Sequence, residues 1–184
     1  MKSLLTFSII IFVSFLFSGC PYSSNVPVDK PNIKVESKFF GKWIDPKGTN
    51  SGFAVNKLND FEYRIAQIPN QSTNEDLEES NDTKRPGNDK ETADTTIYTG
   101  HISKIKDFYF LNLIQTSENA LTSGEYDIYR IEFMNDNEIK LTEITSNIKE
   151  QFSNSSDLRN YIEKYMDSGI SFFYGSETTY IKEK

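Results

Sequence analysis

Short runs of alternating apolar and polar residues, paired around turn-forming residues, restrict this chain to antiparallel β-structure. Phe53 to Leu58 and Phe61 to Ile68 flank Asn59-Asp60, and Thr96 to Ile105 and Phe108 to Ile114 flank Lys106-Asp107. Tyr126 to Phe133 and Ile139 to Ile144 flank Asn135-Asp136-Asn137. Side chains point alternately to the two faces of a strand, so Phe61, Tyr63 and Ile65 alternating with Glu62, Arg64 and Ala66 make one buried and one wet face. Phe108 to Ile114 differs, being apolar on both faces apart from Asn112, which marks a central strand covered on both sides. Phe39 to Asp45 adds an earlier strand that stops at the turn Asp45-Pro46-Lys47-Gly48, and Ser171 to Tyr174 and Thr178 to Lys182 close the chain as strand.

One segment has helical periodicity. From Ser156 to Asp167, Leu158, Ile162, Tyr165 and Met166 recur at three-to-four-residue spacing. Asn154 or Ser155 can cap it, Asp157 favours its first turn and Gly169 suits its stop. The fold class expected is therefore mainly β: an antiparallel meander forming a barrel or half-barrel, with one C-terminal α-helix before the last strand.

Gly41-Lys42-Trp43 resembles the G-x-W that opens the first strand of lipocalin and fatty-acid-binding-type barrels. That resemblance implies an eight-stranded meander with a helix before a last short strand. Trp43 reads equally well as a large core anchor, with Gly41 relieving a strand end.

The N-terminus carries a different signal. Lys2 gives a charged start, Leu4 to Phe17 form an apolar run broken by Thr6, Ser8 and Ser14, and the small pair Ser18-Gly19 precedes Cys20. The run is short of the roughly 20 apolar residues that a membrane-spanning helix needs. Leu16-Phe17-Ser18-Gly19-Cys20 resembles the lipobox of bacterial lipoprotein precursors, with Phe17 where Leu is commoner. The resemblance implies cleavage between Gly19 and Cys20 and a covalent lipid on Cys20, whose acyl chains, palmitate among them, hold the protein at a membrane. Several chains on one residue give durable attachment, at about 0.8 kcal/mol per buried CH₂. Pro21 follows the cysteine instead of the Asp that commonly retains lipoproteins at the inner membrane in some proteobacteria, so the expected location is the cell envelope, and the outer membrane if the source has one.

A broader set of segments is similar to small uncharacterised bacterial lipoproteins, which carry no activity to transfer. These are Gly19-Cys20-Pro21-Tyr22-Ser23-Ser24, Val26-Pro27, Gly41-Lys42-Trp43, Phe110-Leu111-Asn112-Leu113, Tyr126-Asp127-Ile128-Tyr129-Arg130-Ile131 and Ser156-Asp157-Leu158-Arg159.

The organisation expected is a signal peptide over 1–19, an acylated N-terminus and flexible tether over 20–38, and a single β-rich domain over 39–184. The tether contains Pro21, Pro27 and Pro31, three of the chain's six prolines, among polar residues without sustained periodicity, and its function would be reach. Within the domain, 70–94 reads as a disordered acidic loop. It sets Glu75, Asp76, Glu78, Glu79, Asp82, Asp89, Glu91 and Asp94 against Lys84, Arg85 and Lys90, with too little apolar area to offset the entropy of ordering. It lacks the alternating Asp/Asn pattern of an EF-hand.

The formal net charge is −7 and becomes one unit more negative once Lys2 is removed, which disfavours nucleic acid as a partner. Cys20 is the single cysteine, so no internal disulfide can form and stability must come from a packed core. His101 is the single histidine, on the Thr99, His101, Ser103 face and expected to be half exposed; neither a zinc site nor Cys-His catalysis can be assembled around it. Glu125 and Asp127, two apart, would project from one side of a strand as an acid-base pair of glycoside chemistry or as ordinary surface charges. Arg130 and Glu132 read as cross-strand surface partners. Fourteen Phe, ten Tyr and one Trp offer either a large β core or an apolar site for a lipid, glycan or peptide.

No catalytic, metal or dissociable-cofactor residues are assigned, and the functional residues are Gly19 and Cys20. The expected role is a non-catalytic binding or structural module on the membrane, with a hydrophobic ligand or an envelope protein as partner. The alternative is an enzyme acting on envelope glycans through surface carboxylates.

Overall fold

The computed structural model describes residues 22–47, 51–68, 95–116, 124–144, 148–166 and 173–184. The signal segment, Gly19 and Cys20 lie outside these residues, as does the acidic stretch 70–94.

Eight strands close into an antiparallel up-and-down barrel. In chain order they are β2 (Gly41–Ile44), β3 (Gly52–Lys57), β4 (Tyr63–Ile68), β5 (Ile97–Ile105), β6 (Phe108–Gln115), β7 (Tyr126–Asn135), β8 (Glu138–Ile144) and β9 (Tyr174–Lys182), each paired with the next. The seam is β2 against β9, with Trp43 opposite Lys182 and Ile44 opposite Ile181. The three hairpins expected from the turn residues all form. Closure settles the choice between barrel and half-barrel, and it removes the exposed edges that an open sheet would leave. Gly41 opens β2 at φ +122°, a backbone conformation that side chains with a Cβ rarely adopt.

Alternation along the strands builds two cores, one on each side of the barrel wall. Inside lie Trp43, Val55, Tyr63, Ile65, Ile102, Leu111, Ile131, Ile139 and Leu141, with Phe39 from a single 3-10 turn at Ser37–Phe39. Outside, Ile105, Phe110, Ile128 and Ile144 meet Leu158, Ile162 and Met166 of the helical segment. Helix α1 (Ser155–Tyr165) begins where capping chemistry predicts: the Asn154 side chain accepts from the Asp157 amide at 2.9 Å. Leu158 and Ile162 are fully buried on its inner face, and each such burial contributes about 1.5–3 kcal/mol.

The expected tether over 20–38 is corrected by the packing of its described part. Residues 22–40 run from one end of the barrel to the other as a strap across the outer wall. Ser23–Ser24 form a short strand, β1, on β7 just beyond the point where β8 leaves it, and the Tyr22 amide donates to the Ile144 carbonyl at 2.9 Å. Val28 is completely buried, and its amide donates to Oδ1 of Asn112 at 2.8 Å. The Val35 amide donates to the Asp60 carbonyl at 2.9 Å and the Glu36 amide to the Tyr63 hydroxyl at 2.9 Å. Prolines and polar residues made this stretch look like a linker because its apolar anchors, Tyr22, Val26, Val28, Ile33 and Val35, follow neither strand nor helix spacing. An irregular segment can pack only where its backbone groups find partners, and here the partners are donated by the barrel.

Candidate functional site: the barrel cavity

The two ends of the barrel are built differently. At one end Phe39 plugs the interior, edge-on to Tyr63 at 5.1 Å and to Phe133 at 5.8 Å between ring centroids. Trp43 is fully buried beneath it and donates its indole N–H to the Phe39 carbonyl at 2.9 Å. Lys182 Nζ lies 4.8 Å from the Trp43 ring and donates to the Lys38 carbonyl at 2.7 Å. This is the core-anchor role of Trp43 that the sequence offered.

The other end holds a cavity of about 240 Å³. Phe53, Ile65, Leu111, Leu113 and Leu141 form its apolar wall, and Tyr98, Tyr129 and Tyr180 add ring surface with hydroxyls. Asp127 and Glu143 contribute carboxyl groups, and Gln67, Ser176 and Thr178 contribute neutral polar ones. Gly52 also lines the cavity, and the position requires glycine because a Cβ there would stand 2.0 Å from the Trp43 carbonyl oxygen.

Burial dominates the electrostatics of this cavity. It pushes the Asp127 carboxyl above its ordinary range, against a hydrogen bond from the Ser23 hydroxyl at 3.0 Å, while Glu125 adds a further upward push. The Tyr129 phenol is driven well above its usual value by burial first, then by Asp127 and Glu143. Tyr98 is raised by burial and by Asp127, and Tyr180 by burial, Asp45 and Glu143. Every shift disfavours extra negative charge inside the barrel.

The residues singled out from the sequence separate. Asp127 lines the cavity, but Glu125 precedes β7 and is exposed, so the proposed pair does not share a site. The carboxyl that joins Asp127 is Glu143 of the adjacent strand. His101 is on the outer wall, as its alternation implied, but only 3 % exposed instead of half exposed, because the strap covers it. Its Nε2 is 2.7 Å from the Asp29 carbonyl, an acceptor only, so that nitrogen carries the proton. Burial lowers the His101 pKa, opposed by this hydrogen bond and by the charges of Glu62 and Asp29. Arg130 and Glu132 also face outward, 3.4 Å apart along one strand; the cross-strand partner of Glu132 is Lys140 at 3.1 Å.

Sequence reasoning missed Glu143, Tyr98, Tyr129 and Tyr180. One signal was present: Asp127 shares its strand parity with Tyr129, Ile131 and Phe133, so a carboxyl at that position was already aimed at the interior. Among the described residues no group of three His, Cys, Asp or Glu could hold a metal ion, and no helix is long and apolar enough to cross a membrane. Comparison of the chain with protein-family models, curated proteins and solved structures found no match, so the cavity must be interpreted from its own chemistry.

Proposed function

We propose that this chain is a lipid-anchored bacterial envelope protein whose barrel is a non-catalytic binding module for a small molecule. The observation that carries the binding role is the cavity, open at one end, plugged at the other and walled by apolar side chains with a few convergent polar groups. The lipobox-like Leu16 to Cys20 supports the anchor. The anchor and the strap together bring the cavity close to the bilayer. Only Pro21 separates Cys20 from Tyr22, which is packed at the cavity end of the barrel, and two residues of extended chain reach about 7 Å. The spacer role expected for 20–38 is therefore replaced by close attachment.

Replacing the anchor residue tests this reading directly. In Cys20→Ser the precursor should go uncleaved and the acyl mass should vanish from the N-terminal peptide by mass spectrometry; unchanged processing and membrane partitioning would refute the anchor. An envelope glycan-acting enzyme is the second reading, favoured by Asp127 and Glu143 in one cavity and by the raised Asp127 pKa, a pattern suited to a general acid. The small volume ranks it below binding. Glycan-hydrolysing activity abolished in Asp127→Asn would reverse that order.

A further inference from the structure

Resting on the assignment of the barrel cavity as a binding site, we infer that its ligand is a small organic cation: an ammonium group on a compact apolar body. Charge is the first reason. Among the described residues the lining includes Asp127 and Glu143 and contains no Lys, Arg or His. The cations on the strands that carry these carboxyls, Arg130 and Lys140, face the outer wall and are engaged by Glu132. Lys182 is committed to the closed end, over Trp43. A neutral apolar guest would strip water from two carboxyls and leave them without a counter-charge. An anionic guest would add repulsion.

Geometry is the second reason. Glu143 stands directly across from Tyr129 in the β7–β8 pairing, and Asp127 is two residues from Tyr129 on the same face. Directly opposed side chains have Cβ atoms about 4.5–5.5 Å apart, which sets Glu143 beside Tyr129, and Asp127 brings a second carboxyl to the same face one pleat further along the strand. Tyr98 and Tyr180 add further ring surface around the same space. Carboxyls with aromatic faces form the environment that recognises quaternary and primary ammonium groups, through ion pairing and attraction to the ring quadrupole. Leu111, Leu113 and Leu141 supply apolar wall for the body of the guest. Size is the third reason. The cavity of about 240 Å³ falls below the roughly 300–1,000 Å³ typical of ligand pockets, which suits a compact guest better than a long acyl chain.

The test compares choline with its neutral isostere 3,3-dimethylbutan-1-ol and with hexanoate, each titrated calorimetrically into the full-length mature protein in an uncharged detergent. Choline should bind at least tenfold more tightly than the isostere, and hexanoate should not compete. Glu143→Gln and Asp127→Asn should each weaken choline binding about tenfold, and the outward-facing Glu132→Gln should leave it unchanged. Both cavity variants keep the acidic stretch 70–94, so attraction to that stretch cannot mimic the result. They should also keep the melting temperature, because each replaces a half-buried carboxyl by an amide of the same shape; a folded variant that still binds choline fully would overturn the proposal. Equal or tighter binding of the isostere or of hexanoate would overturn the cation inference while leaving the binding role intact. Failure of all three guests to bind would overturn both.

Discussion

The closed end and the open end of this barrel are made from the same alternating strands and are both rich in aromatic residues, yet one is solid and the other hollow. At the closed end Trp43, Tyr63 and Phe133 converge on Phe39, and Phe53 lies between this cluster and the cavity, against both Phe39 and Tyr180. At the open end Tyr98, Tyr129 and Tyr180 stand around a space shared with Asp127 and Glu143. The difference arises because the strap turns back into the barrel at Ser37–Phe39 and inserts a side chain at one end only. An aromatic side chain in a β-barrel is therefore core or pocket according to whether another segment fills the space beside it.

Truncation should break the symmetry of the two ends most strongly. Trp43→Ala should cost about 3–5 kcal/mol by chemical denaturation, the usual loss for deleting a large buried aromatic. The matched truncation at the open end, Tyr129→Ala, should cost clearly less, because its ring already borders empty space. Equal losses at both positions would erase the distinction between plug and pocket.

The strap that supplies the plug gives a second, smaller effect. Asn112 is completely buried on the outer wall, where its Nδ2 donates to the Ser103 hydroxyl at 3.0 Å while its Oδ1 accepts from Val28. Asn112→Leu would strand the Val28 amide without a partner, at a cost of about 1–3 kcal/mol. The same variant should expose the segment 22–36 to limited proteolysis before the strands, a sequence of events that proteolysis with mass mapping would reveal. If the strap stays protected, Asn112 is not its anchor.

The smallest effect is pH-dependent and also belongs to the strap. His101 has a folded pKa below its ordinary 6.5, so the unfolded chain takes up a proton first as the solution is acidified. Its stabilisation is complete above about pH 6.5 and is lost as pH falls through the lower folded value. The groups facing it are the Asp29 carbonyl, the charges of Asp29 and Glu62, and the Tyr126 ring. Thermal unfolding between pH 7 and 5 should show this loss, and His101→Gln should flatten the pH dependence over that window. An unchanged slope would mean that His101 is not shielded by the strap.

Much of the wall was legible from residues alone. The Lys106-Asp107 turn lies between β5 and β6, Asn135 to Asn137 mark the β7–β8 turn, and Asn154 caps α1, because each is a local choice made by neighbouring residues. Asn112 was correctly placed on a strand covered on both sides, although what covered it was not foreseeable. Glu143 escaped notice because Asp127 is distant in sequence, and the two come to one cavity only through the β7–β8 register that pairs Glu143 with Tyr129. His101 was misjudged for the same kind of reason, since exposure depends on segments far along the chain.

By itself, then, the order of residues determined the hairpins, the helix with its cap, and the inward and outward faces. Those features rest on short-range rules: strand alternation, turn conformations and hydrogen bonds spanning a few residues. Tertiary structure alone decided that β9 meets β2, that residues 22–40 strap the wall, and that one end of the barrel remains hollow around two carboxyls. Such outcomes depend on which distant surfaces are left over to be covered once the local elements have formed, and a packed interior must satisfy every buried polar group at once.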